Sequence, residues 1–202
     1  MKKVILASAI ALFGMVSAQE SETPGFVKGD TFITGAVGFT NSTQGEVKNN
    51  TFTIAPSVGY FVSPNIAVGV RAGYTNMNET DKTTSITVEN ESDTFAVGAF
   101  GRYYYTPASR FSIFGELNAN YGNQKFTNTV GGVSTDAKFN AFDVNIAPGV
   151  NYFISKNFAL EATWGVLGYS SFKQDVAGAE SQDNFNIGLD LNDLSLGLVY
   201  KF

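Results

Sequence analysis

Residues 52–74 read FTIAPSVGYFVSPNIAVGVRAGY, and residues 142–166 read FDVNIAPGVNYFISKNFALEATWGV. Ile54, Ala55, Pro56, Tyr60 and Phe61 of the first are matched by Ile146, Ala147, Pro148, Tyr152 and Phe153 of the second. A looser copy, DTFAVGAFGRYYYTPASRFSIFGELNANYG, occupies residues 93–122. Each copy is an alternating segment, a short break and a second alternating segment, which is the pattern of an antiparallel hairpin.

The hairpin has two unlike faces. Phe52, Ile54, Pro56, Val58, Tyr60 and Val62 form an apolar one, while Thr53, Ala55, Ser57, Gly59 and Phe61 form a mostly small or polar one. After the break, Ile66, Val68, Val70, Ala72 and Tyr74 continue the apolar set, and Arg71 falls with Ala67, Gly69 and Gly73. Strands of soluble sheets run about five or six residues. These approach the ~9 to 11 residues that cross a bilayer at a tilt.

The same phase extends through the chain. Strands are predicted over residues 31–40, 52–61, 66–77, 94–105, 111–121, 138–153, 158–166 and 192–202, with the alternation unclear near Gly168. Short turns fall at one end. Polar stretches at 41–50, 78–93, 123–137 and 170–190 are expected to be long loops at the other, although Ser85–Val88 has the character of a strand extension. The expectation is an all-β fold, an antiparallel up-and-down transmembrane β-barrel of about eight strands.

Charge supports that reading. Arg71, Arg102, Glu116, Asp143, Glu161 and Lys201 all take the phase of the small, polar residues, and none interrupts an apolar face. A lipid-facing surface demands this, because Arg or Lys near the bilayer midplane costs roughly 2 to 4 kcal/mol. A soluble barrel would carry its apolar face inside. The six charged residues are therefore predicted to form an ion network in the lumen, beside Phe61, Phe100, Phe114 and Phe153. If the turn after strand four sets Arg102 opposite Phe114, Glu116 is its diagonal neighbour. Aromatics gather near both strand ends, as two interfacial girdles.

The chain opens with Lys2 and Lys3, an uncharged run from Val4 to Val16 and small residues up to Ala18. That is the layout of a secretory signal peptide, residues 1–18, cleaved after Ala18. Residues 19–30 form a polar N-terminal lead-in, and 31–202 the barrel domain. The formal charge of -5 includes Lys2 and Lys3, so the mature chain stands at -5 - 2 = -7, which excludes a general nucleic-acid binder. There is no histidine and no cysteine. His-based hydrolases, His-based metal sites, Cys nucleophiles and disulfides are thereby excluded. The carboxylates Glu116, Asp143 and Glu161 read as partners of the lumen cations rather than as an acid and base. No enzyme activity and no cofactor are expected.

The signal, the hairpin pattern and the terminal YKF resemble the outer-membrane beta-barrel domain family, the small OmpA- and OmpX-type barrels of Gram-negative bacteria. The resemblance covers nearly all of the mature chain and implies residence in the bacterial outer membrane, in contact with its lipid. It also implies that Leu198, Tyr200 and Phe202 form the C-terminal signal read by the barrel-assembly machinery. No peptidoglycan-binding segment follows Phe202 in this sequence, so wall anchoring is not expected. Two functions stay open: a structural or surface-display barrel with a largely plugged lumen, whose loops 41–50, 78–93, 123–137 and 170–190 could take an extracellular ligand, or a small porin-like passage. A soluble ligand-binding barrel is a third, weaker reading.

Overall fold

The computed structural model describes residues 24–165, 167–188 and 194–202. The expected signal peptide, residues 1–18, lies outside them. Ten strands follow in order: β1 (Thr31–Gln44), β2 (Val47–Phe61), β3 (Ile66–Asp81), β4 (Val88–Tyr104), β5 (Phe111–Val130), β6 (Val133–Phe153), β7 (Phe158–Trp164), β8 (Leu167–Gln174), β9 (Ser181–Ile187) and β10 (Leu194–Lys201).

β1 to β6 pair antiparallel in sequence order, β6 pairs with β7, β7 with β10, and β10 with β1. Those eight strands close a barrel. The seam is set by Phe32↔Lys201 through Gly35↔Leu198. Above it, β8 and β9 form a hairpin in which β8 continues along β6, so the wall rises beyond the closed ring. From Ala162 to Leu167 the chain advances five residues, while its partner advances four, from Val150 to Ile146. One extra residue between the two pairings shifts the phase, as in a β-bulge. That is why the alternation is unclear near Gly168.

The barrel is apolar outside and polar inside. Val68, Val70, Val97, Leu117, Ile146 and Leu160 are exposed on its outer wall, whereas Arg102, Glu116, Glu161 and Lys201 are buried within it. Burial thus reverses the order of a soluble fold and matches a wall that faces lipid.

All four of the expected long loops are corrected by the structure. Residues 41–50 lie almost wholly in the β1–β2 hairpin, which turns at Gly45 and Glu46 between Gln44 and Val47. Residues 123–137 lie in the β5–β6 hairpin, whose strands run on to Val130↔Val133. Gly131 and Gly132, with φ of 57° and 85°, make its two-residue turn. Both central positions of such a turn need positive φ, the geometry that follows strand twist and that glycine adopts without strain. Residues 78–93 are also mostly strand, leaving 82–87 between β3 and β4. The fourth, 170–190, contains most of β8 and all of β9. Above the membrane both faces of a strand meet water, so the apolar alternation vanishes while pairing persists. Polar cross-strand contacts take its place, as in Asn128 Nδ2 to Asn90 Oδ1 at 2.7 Å and Thr127 Oγ1 to Asp136 Oδ1 at 2.8 Å.

Candidate functional site: the barrel lumen

Inward positions on β3, β4, β5 and β7 bring four charges together. Arg102 stands directly opposite Glu116, and Tyr104 opposite Phe114. This corrects the expected Arg102 and Phe114 pairing by two residues, because the break between β4 and β5 spans 105–110. Arg102 Nε donates to Glu116 Oε2 at 2.7 Å, and Arg71 Nη2 to Glu116 Oε1 at 2.6 Å. Across the lumen, Arg102 Nη1 and Nη2 donate to Glu161 Oε2 and Oε1 at 2.6 and 3.0 Å, a bidentate grip. Asn118 Nδ2 and Thr34 Oγ1 donate to the remaining lone pairs of Glu116 and Glu161 at 2.9 and 3.3 Å.

Rings enclose this layer. The Arg102 guanidinium lies 4.4 Å from the Phe114 centroid and 5.0 Å from that of Phe100, within cation–π range. The rings fit because glycines lie beneath them. A Cβ on Gly59, Gly69 or Gly149 would run into Phe32, Phe100 or Phe114 respectively. The small-residue face seen in the sequence is thus the space that the aromatic side chains occupy.

Two of the six predicted charges are elsewhere. Lys201 sits at the short-turn end, where Nζ donates to the Gly25 carbonyl at 2.6 Å and lies 3.5 Å from Asp30 Oδ2. Asp143 sits higher and is held by amides, with Asn120 Nδ2 at 2.9 Å from Oδ1 and Asn145 Nδ2 on the same oxygen. The network therefore contains Arg71, Arg102, Glu116 and Glu161, without Asp143 and Lys201. A shared phase places side chains inside, but their heights along the barrel separate them.

The lead-in supplies residues that sequence reasoning missed. Phe26 is 1% exposed and packs inside the short-turn end against Phe61, Phe153, Phe32 and Tyr104, with ring centroids 4.7 to 5.4 Å apart. Phe26 N donates to the Pro107 carbonyl at 2.7 Å, and Gly29 N to that of Phe61 at 2.9 Å. Asp30 accepts from Val27 N at 2.9 Å, which tightens the bend. A lone Phe in a polar stretch, followed by Asp one turn later, was the available signal. It carries no periodicity, so nothing in the stretch itself directs it inward.

Outside the barrel, Tyr200 lies between Phe158 and Phe202, with centroids 4.9 and 5.0 Å away. Phe202 N donates to the Thr31 carbonyl at 3.0 Å, tying the last residue to the first strand.

A family profile described as "Outer membrane protein beta-barrel domain" matches residues 5–202. The chain belongs to this family. Among solved structures, the N-terminal β-barrel domain of Pseudomonas aeruginosa OprF is 14% identical, with 87% of this chain and 98% of that chain covered and a TM-score of 0.44. Ail, the attachment invasion locus protein of Yersinia pestis, is 14% identical, covering 87% and 100%, with a TM-score of 0.42. OprG from Pseudomonas aeruginosa is 15% identical, covering 89% and 99%, with a TM-score of 0.39. A search of curated proteins finds no match. Family and fold place the barrel among proteins of the bacterial outer membrane.

Proposed function

We propose that this outer-membrane barrel serves a structural and surface-display role, with a lumen that does not conduct. The observation that carries the reading is Arg102, buried and bound to both Glu116 and Glu161, directly above the cluster of Phe26, Phe32, Phe61, Tyr104 and Phe153. An eight-stranded barrel has an interior that side chains can fill. An ion passing through would have to part these pairs and displace the rings.

Export by a signal peptide, residues 1–18, and recognition of Leu198, Tyr200 and Phe202 by the assembly machinery belong to the same reading. So does display of the hairpin ends within 41–50, 78–93, 123–137 and 170–190 to an extracellular ligand. No catalytic role is assigned, since the sequence lacks histidine and cysteine. The test is single-channel recording on the purified mature protein in planar bilayers. No steady conductance is expected. Reproducible open channels from the unaltered protein would establish the porin-like alternative instead.

A further inference from the structure

Above the ion pairs the lumen widens into a cavity of about 340 Å³, lined by residues that include Arg71, Arg102, Glu116, Asn120, Asp143 and Glu161. Two arginines there face three carboxylates, so one negative charge is left over. The contacts identify it as Asp143. Arg71 and Arg102 are engaged by Glu116 and Glu161, and among the described residues no Lys or Arg forms a salt bridge with Asp143.

The carboxylate is oriented as well as unpaired. Asn120 and Asn145 both donate to Oδ1. Asn118 Oδ1 accepts from Asn120 at 3.0 Å, which continues the amide ladder down to Glu116 through Asn118 Nδ2. Oδ2 accepts from none of the described residues, and Asp143 lines the cavity. Water reaches the cavity floor, since the Arg71 side chain that lines it is 27% exposed while those of Arg102 and Glu116 are 3% and 4% exposed.

Further along the same strands, beyond the residues that line the cavity, stands an aromatic pair. Asp143 is paired with Ser170, and Phe172 is two residues further along β8, opposite Ala141. Diagonal neighbours of this kind are roughly 7 to 8 Å apart, within reach of an aromatic ring. Phe139, on the same face of β6, stacks on Phe172 with centroids 4.8 Å apart and planes at 14°. A carboxylate with one open oxygen, one diagonal position from Phe172, suits a cation that also carries apolar surface. It does not suit a hard metal ion. Ca²⁺ takes roughly six to eight oxygen ligands, and among the described residues no group of three His, Cys, Asp or Glu side chains could hold a metal.

We propose that the upper lumen is a binding cup for a small organic ammonium. Its N–H groups donate to Asp143 Oδ2, and its apolar part reaches out of the cavity toward Phe172, the nearer ring of the stacked pair. The volume is at the lower end of the roughly 300 to 1,000 Å³ found for small-molecule pockets, which limits the ligand to a compact amine. That the cup is a dead end, and hence a receptor site rather than a passage, rests on the non-conducting reading above. Binding itself does not, so a leaking barrel that still binds would fail that reading alone.

The test titrates 2-phenylethylamine into the refolded mature barrel in zwitterionic micelles and follows the side-chain amide NMR signals of Asn120 and Asn145. Parallel titrations use 3-phenylpropionate, its anionic counterpart, and CaCl₂. Saturable shifts with the amine alone are expected. Asp143→Asn, which keeps the shape, should weaken binding at least about tenfold, the scale of one lost charge-assisted hydrogen bond. Phe172→Leu should weaken it about two- to fivefold, as loss of a modest cation–π contact would. Heat-modifiable migration on a gel confirms that each variant is folded, and a variant that does not fold is replaced by Asp143→Ser. Equal binding by the Asp143 variant, equal binding of the anion, or a response to Ca²⁺ without one to the amine would each overturn the proposal.

Discussion

Arg102 Nη1 donates to Glu161 Oε2 at 2.6 Å across the lumen, joining β4 to β7 over 59 residues of sequence. The contact exists only because the ring closes, and it makes Arg102 the hub of the buried charges. Glu116 is its second partner. Glu116→Ala would leave Arg102 with one carboxylate and Arg71 with none, and breaking a buried pair from one side costs roughly 3 to 5 kcal/mol. Urea unfolding in lipid should show a loss of that size. A double-mutant cycle with Arg102→Met should recover part of it, and strict additivity would mean that the two side chains are not coupled.

Phe26 lies outside the strands, yet its ring fills the short-turn end of the lumen. Phe26→Ala removes a large buried ring, for which about 3 to 5 kcal/mol is the usual range. A loss of stability together with a small rise in baseline conductance is expected. No change in either would show that the lead-in does not seat there in the membrane.

Val68 points outward on β3, opposite Gly101 of β4 and Tyr60 of β2. Val68→Arg should cost roughly 2 to 4 kcal/mol in bilayer folding, the penalty for a cation near the midplane. In a detergent micelle, whose edge is close, the penalty should shrink. A neutral substitution in a bilayer would contradict the outward assignment.

Phe202 has both a packing contact and a proposed role in assembly. Its ring meets Tyr200 edge-on, at 86°. Deleting it should lower the yield of folded barrel in cells more than it lowers the stability of protein refolded in detergent. Equal losses in the two assays would leave packing as its whole contribution.

Acid should loosen the hairpin ends first. Hydrogen bonds from the Thr83 hydroxyl and amide hold the Asp81 carboxyl below the usual carboxylate range. The Thr127 hydroxyl, followed by Lys125, does the same for Asp136. For a carboxyl whose folded pKa is depressed, the stabilisation is present above its unfolded value and is lost as pH falls through the folded one. Both groups are exposed, so the effect is local. NMR titration should show the Thr83 amide and the residues around Asp136 shifting below the ordinary carboxylate range while the Arg102 signals stay fixed. A simultaneous change at Arg102 would mean that acid acts on the whole barrel instead.

Much of this architecture was legible from residue order alone. The eight strands of the closed ring, wall facing and the inward phase of all six strand charges follow from a period of two set against a strong contrast between apolar and small residues, as in Val68, Val70 and Ala72 against Gly69, Arg71 and Gly73. That contrast requires lipid on one side. Where water lies on both sides, as from Asn123 to Val130, the alternation disappears although the strand continues, so these ladders have the sequence character of loops.

Pairing among the charges was decided only by the tertiary structure. Period two fixes the face of a side chain but not its height, and height depends on turn length and on the stagger of a closed ring. Six residues between β4 and β5 brought Glu116, rather than Phe114, opposite Arg102. Closure brought Glu161 within reach from the far wall, left Asp143 among amides, and joined Lys201 to Asp30. Phe26 required still more. No local pattern directs it inward, and it is buried because the lower lumen, ringed by Phe32, Phe61, Tyr104 and Phe153, holds an apolar space that one more ring fills.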